Sequence, residues 1–170
     1  MQNRRGWLRV VGLGGIVALA LGWASPAWAP NCSSCTTTNL FLPLSGLFFY
    51  PPFPIVPSGE NVLLTGDVHV VARVEAVVGG KFLTDVYLNM AGVTGTGQTT
   101  GGMYIGTGSN KFVNVAFPGD PVIPPDPIHA NFYVEAARRG GSVQLPLTFD
   151  LRFGTDGTLL ASSTVSVTSD

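Results

Sequence analysis

The sequence predicts an all-β domain, a single antiparallel β-sandwich of about seven or eight strands, with a β-barrel as the alternative closure. Three observations lead there. Apolar and polar residues alternate with period two over long runs, most clearly from Val62 to Val78. Paired glycines, Gly79-Gly80 and Gly140-Gly141, separate such runs at hairpin spacing. Nothing after the N-terminal segment carries a convincing amphipathic-helix pattern.

Taken in order, the chain opens with Arg4, Arg5 and Arg9 and no acid, followed by an uncharged apolar run from Val10 to Ala24. That run is shorter than the roughly 20 residues a helix needs to span a bilayer. Small residues follow at Ala24, Ser25, Ala27 and Ala29. This is the pattern of a cleaved signal peptide, assigned to residues 1–29, and it predicts a secreted, periplasmic or cell-surface protein. Membrane contact is expected only through this segment. The run Asn3-Arg4-Arg5-Gly6-Trp7-Leu8-Arg9 resembles a twin-arginine export signal, and an ordinary secretory signal fits the same residues.

Residues 30–59 form an apolar, proline-rich segment that begins with Cys32 and Cys35. Two cysteines in an oxidising compartment predict a local disulfide. The redox reading of C-x-x-C lacks a βαβ context, and a zinc site lacks a second ligand pair. From Val10 to Gly59 there is no charge. Pro43, Pro51, Pro52, Pro54 and Pro57 argue against a helix and a central strand, which leaves polyproline-like or edge-strand geometry. Leu40, Phe41, Leu44, Phe48, Phe49, Tyr50 and Phe53 therefore form the candidate interaction segment. So much apolar surface must either cover the domain's own core or attract a partner.

Residues 60–170 are read as the sandwich itself. Val62–Val78 pairs with Phe82–Met90 across Gly79-Gly80, and Ile128–Arg138 pairs with Val143–Phe153 across Gly140-Gly141. The Gly/Thr-rich stretch Gly92–Gly108 is a bulged strand or a long loop, and Lys111–Phe117 is a further strand. Pro118–Pro127 is a loop. Pro146 falls on the polar parity of its strand, so that strand lies at an edge or has its amide side free there. Gly154-Thr155-Asp156-Gly157 is a turn, and Thr158–Val167 closes the fold.

The chemistry-bearing residues are few. Gly95–Gly102 lacks the Lys-Ser/Thr ending, the glycine spacing and the following helix of a phosphate-binding loop. His69 and His129 alternate with apolar neighbours and belong to the polar face of their strands. Asp120 with Asp126, and Asp150 with Asp156, could serve as carboxylate pairs, but Asp beside Gly or Pro is turn chemistry first. No cofactor is implied. With the three N-terminal arginines removed, six bases face ten acids, and a net charge of −4 argues against nucleic acid as a partner. The reading is a binding, assembly or structural domain whose partner is itself or another envelope protein. A barrel carrying an apolar ligand and a carboxylate-based hydrolase are the alternatives.

Overall fold

The computed structural model describes residues 35–52, 56, 58–120, 125–137 and 141–168. The signal peptide and its cleavage point, Cys32, Phe53, and Arg138 and Gly140 of the expected second hairpin lie outside the described residues. Nine strands are described: β1 (Thr36–Tyr50), β2 (Glu60–Val78), β3 (Lys81–Asn89), β4 (Thr94–Gly97), β5 (Met103–Thr107), β6 (Ser109–Pro118), β7 (Ile128–Ala136), β8 (Ser142–Asp150) and β9 (Thr164–Val167). There is no helix among the described residues. All ladders are antiparallel in one sheet of order β6-β3-β2-β4-β5-β7-β8-β9, with β1 on the other edge of β2. The sheet is not closed into a barrel. Its arrangement is that of a folded-over sandwich.

Nine strands rather than seven or eight form because two stretches read as irregular are regular. Of the five prolines from Pro43 to Pro57, only Pro43 lies within β1; Pro51 and Pro52 come after it. β1 pairs with β2 without interruption, from Thr36↔Val74 to Tyr50↔Glu60. A strand that pairs on one side alone tolerates a proline whose missing N–H falls on the free side. The Gly/Thr-rich stretch is likewise a short hairpin, β4–β5, paired Thr94↔Ile105 to Thr96↔Met103.

β2 is the spine. β1 covers one of its edges, while the other is shared by β4 (Val62–Thr65) and β3 (His69–Val78). The β2–β3 turn uses Gly79 and Gly80 at φ +55° and +77°, the doubly left-handed pair that a two-residue hairpin requires. β7 and β8 pair from Ile128↔Phe149 to Glu135↔Ser142, and the expected extension of the second run to Phe153 is not part of the ladder, since β8 ends at Asp150 and Phe153 bridges to Leu159. Pro146 turns its carbonyl towards β9, accepting from Thr168 N at 3.0 Å. Its absent N–H therefore falls where the β8–β9 ladder ends, at Leu147↔Val167.

The core follows the even parity. Val62, Leu64, Val68, Val70 and Ala72 of β2 are fully buried, as are Val86 and Leu88 of β3. Phe132 and Val134 of β7 meet Leu145, Leu147 and Phe149 of β8 from the facing side. The inward set of β1 (Leu42, Leu44, Tyr50) joins the same cluster. Arg73 departs from the parity rule: it is buried on the polar face of β2, donating from Nη2 to Cys35 Sγ at 3.5 Å, with Glu75 Oε1 at 3.7 Å.

Candidate functional site

The candidate interaction segment becomes an alternating strand, and the alternation divides its residues. Leu44 and Tyr50 are buried, while Leu40 and Phe48 are half-buried against the core. Phe41 and Phe49 point outwards, about half exposed. Leu47 faces outwards with Phe49. The structure thus brings Phe41 and Phe49 to one surface and commits Leu44 and Tyr50 to packing.

That surface continues across the sheet. Leu47 lies opposite Leu63 in the β1–β2 ladder, Leu63 opposite Thr96 of β4, and Thr96 opposite Met103 of β5. Leu47, Phe49, Leu63, Met103 and Ile105 are 40–67% exposed. Apolar side chains scattered singly over a surface need no explanation, but Leu47, Phe49 and Leu63 gathered on the adjacent β1 and β2, with Met103 and Ile105 on β5 across the Thr94 and Thr96 positions of β4, do.

At the other edge of β1 the sheet stops short of closure. β9 lies beside β1, close enough that a Cβ on Gly46 would sit 3.1 Å from the Val167 side chain. Among the described residues β9 reaches no further, although β8 runs on to Ser142. Below it a groove of about 440 Å³ separates β1 from β8, lined by Phe48, Phe49, Val143, Gln144, Pro146 and Val167 among others, none of them charged. The Tyr50 hydroxyl closes the far end by donating to the Gly141 carbonyl. Strand polarity alternates across the ladders, so β9 runs parallel to β1 and antiparallel to β8, and it points into this groove.

A second feature had no signal in the sequence. Glu60, at the start of β2, is buried. Its Oε2 accepts from Thr99 N (3.0 Å) and Thr100 N (2.9 Å), and its Oε1 accepts from Thr100 Oγ1 (2.7 Å) and Tyr104 Oη (2.6 Å). Burial alone would push the carboxyl up. The hydrogen bonds from Tyr104, Thr100 and Thr99 outweigh it and hold the group down at about 2. Tyr104 moves the opposite way, raised by burial and then by the carboxylate it serves. The Gly-rich turn is therefore an anion cradle, occupied by the protein's own carboxylate. Gly97 must be glycine for this reason, since a Cβ there would lie 2.4 Å from the Glu60 carboxylate. With its lone pairs saturated and its surface covered, Glu60 anchors a loop; it is not placed to transfer protons to a substrate.

The remaining polar groups are dispersed. His69 stacks on Phe41 with centroids 4.6 Å apart, its Nε2 3.2 Å from Asn39 Oδ1, and burial lowers its pKa. His129 sits 3.1 Å from Thr148 Oγ1 on another strand pair. Asp150 pairs with Arg152 at 3.1 Å, and Asp156 accepts from the Thr158 amide and hydroxyl as a turn cap. No group of three His, Cys, Asp or Glu suited to a metal occurs among the described residues. Compared with protein-family models, curated proteins and solved structures, the chain matches none of them.

Proposed function

We propose that this chain is an exported β-domain that works by binding or assembly, docking through the outer face of β1, β2, β4 and β5. The observation that carries the reading is the outward apolar set Leu47, Phe49 and Leu63 on the adjacent β1 and β2, with Met103 and Ile105 on β5. Export is supported by the charge and apolar pattern of residues 1–29, and a Cys32–Cys35 disulfide by their spacing in such a compartment. The polar groups support neither alternative. The inward side chains pack on one another as a core rather than lining a cavity for an apolar ligand. Glu60 is engaged in a loop anchor, and of the candidate carboxylates Asp150 is engaged in an ion pair and Asp156 in a turn cap.

Sedimentation of the purified full chain against its Leu47→Ser/Phe49→Ser double variant tests the docking face. The wild type associates with itself, and the double variant weakens that association at least tenfold while keeping its unfolding midpoint. Identical sedimentation of the two proteins over the whole accessible concentration range would sink the reading. Mass spectrometry of the chain recovered outside the cytoplasm tests export, with cleavage expected between Ala24 and Ala29 and an intact Met1 as the contrary result.

A further inference from the structure

We infer that the occupant of the outer face is a second copy of this chain, in a closed two-fold pairing that sets β1 of one copy over β5 of the other. The inference deepens the proposed docking role and rests on it, because the same side chains carry both.

Area, charge and relief select that occupant. Leu47, Phe49, Leu63, Met103 and Ile105 are 40–67% exposed. Large apolar side chains carry on the order of 200 Å² each, so the five together present about 500 Å² to solvent. A standard interface takes about 800 Å² from each partner, of which roughly 60% is apolar, again about 500 Å². The strand segments that carry these side chains (45–49, 61–65, 94–96 and 103–105) contain no charged residue. Two copies of an acidic chain therefore meet here without opposing like charges, whereas a charged partner finds no counter-charge on these segments. The relief fits its own copy. Leu47, Leu63, Thr96 and Met103 form one cross-strand row of three strand spacings, roughly 14 Å long. Large apolar side chains fill the β1 and β5 ends of the row, and the exposed Thr96 is a low point beside Leu63. Turning a second copy over so that β1 lies on β5 sets Leu47 against the partner's Met103 and Leu63 over the partner's Thr96. Large side chains then face small ones in the middle of the row, as close packing of facing layers requires. Setting β1 on β1 instead puts Leu63 on Leu63 and leaves Thr96 facing Thr96. An interface in which a patch meets its own copy closes at two subunits.

The test places single cysteines in the Cys32→Ser/Cys35→Ser background, which has no other thiol. Leu47→Cys, Met103→Cys and an equimolar mixture of the two are treated with a bismaleimide that spans about the 10 Å between packed sheet faces. Both variants should keep the unfolding midpoint, since both side chains are more than half exposed. Sedimentation should show a dimer that forms with concentration and nothing larger. The mixture should give at least tenfold more cross-linked dimer than either protein alone, because the two Leu47 positions of one dimer stand roughly 14 Å apart along the row as well as on opposite faces. Three results overturn the proposal. Cross-linking of Leu47→Cys alone as strong as in the mixture would set β1 on β1. Species that keep growing with concentration would mean an open, head-to-tail contact. A monomer that cosediments with phosphatidylcholine vesicles would assign the face to a lipid surface. If association still responds to Leu47→Ser/Phe49→Ser but the mixture does not cross-link, the docking face stands and only this pairing is lost; a monomer at every concentration removes both.

Discussion

Replacing Glu60 by Gln removes a charge without removing volume, and the structure sets the size of the effect. The carboxyl is held at about 2 against an ordinary 4.5. A difference of about 2.5 units at about 1.4 kcal/mol each gives about 3 kcal/mol. The folded-state value is the lower one, so this stability is fully present above about pH 4.5 and is lost as the pH falls towards 2. Glutamine keeps one acceptor oxygen but turns an NH2 towards donors, so two of the four groups from Thr99, Thr100 and Tyr104 lose their acceptor. Urea unfolding of wild type and Glu60→Gln at intervals from pH 7 to pH 2 measures the outcome. The stability gap should be about 3 kcal/mol at pH 7 and shrink by about that amount at pH 2. Comparing the two proteins cancels the other carboxylates, which titrate in both. A gap below about 1 kcal/mol at pH 7, or one independent of pH, would show that Glu60 is not a buried ionised anchor.

Two further outcomes follow from the same structure. Gly97→Ala places a methyl against the Glu60 carboxylate and should cost about 1–3 kcal/mol in urea unfolding, with the acid limb moved to higher pH as the cradle opens. The Cys32→Ser/Cys35→Ser double variant should lose about 2 kcal/mol or less, because so short a loop removes little entropy from the unfolded chain. Calorimetry should then show a melting temperature within about 8 °C of wild type, and a collapse of folding would mean that the thiols hold something larger.

Much of the fold was legible because period-two alternation reports directly on a two-faced sheet. Val62, Leu64, Val68 and Val70 were placed on one face by parity, and all four are buried. Both glycine-separated hairpins form, the first with a bulge at Val74/Ala76 that parity cannot reveal, the second ending at Asp150 rather than at the expected Phe153, which bridges to Leu159 instead. The proline-rich segment was harder. Counting prolines across 40–57 averages over a boundary: the strand ends at Tyr50, and most of the prolines come after it. Edge geometry was the correct residue-level inference for Pro43, but its length and its inner-face contribution to the core depended on β2 supplying fifteen consecutive partners. Arg73 shows the converse failure. It sits on the polar parity, yet the chain around Cys35 lies close enough to bury it, and no local pattern encodes that contact.

The candidate site divides along the same line. That the N-terminal segment carries more apolar surface than an isolated strand can leave in water was legible from its eleven large apolar side chains, and the choice between covering the core and attracting a partner stayed open. Which of them are exposed was settled by strand parity, and that required knowing that a strand exists. The extension of the patch to Leu63, Met103 and Ile105 depended on the cross-strand register, which links residues up to about sixty positions apart in sequence. Glu60 lay out of reach for the same reason. Its donors are 39–44 residues away, in a stretch whose glycines invite a suggestion of anion binding that the missing Lys-Ser/Thr ending and helix reject for an external phosphate. The physical content of that suggestion survives: backbone amides in a Gly-rich turn do gather around a negative charge, and here the chain supplies the charge itself. A turn already saturated by an internal carboxylate has no vacancy for a phosphate. The same geometry that makes Glu60 conspicuous therefore moves the search for function away from the β4–β5 turn and towards the outward apolar side chains of β1 and β2.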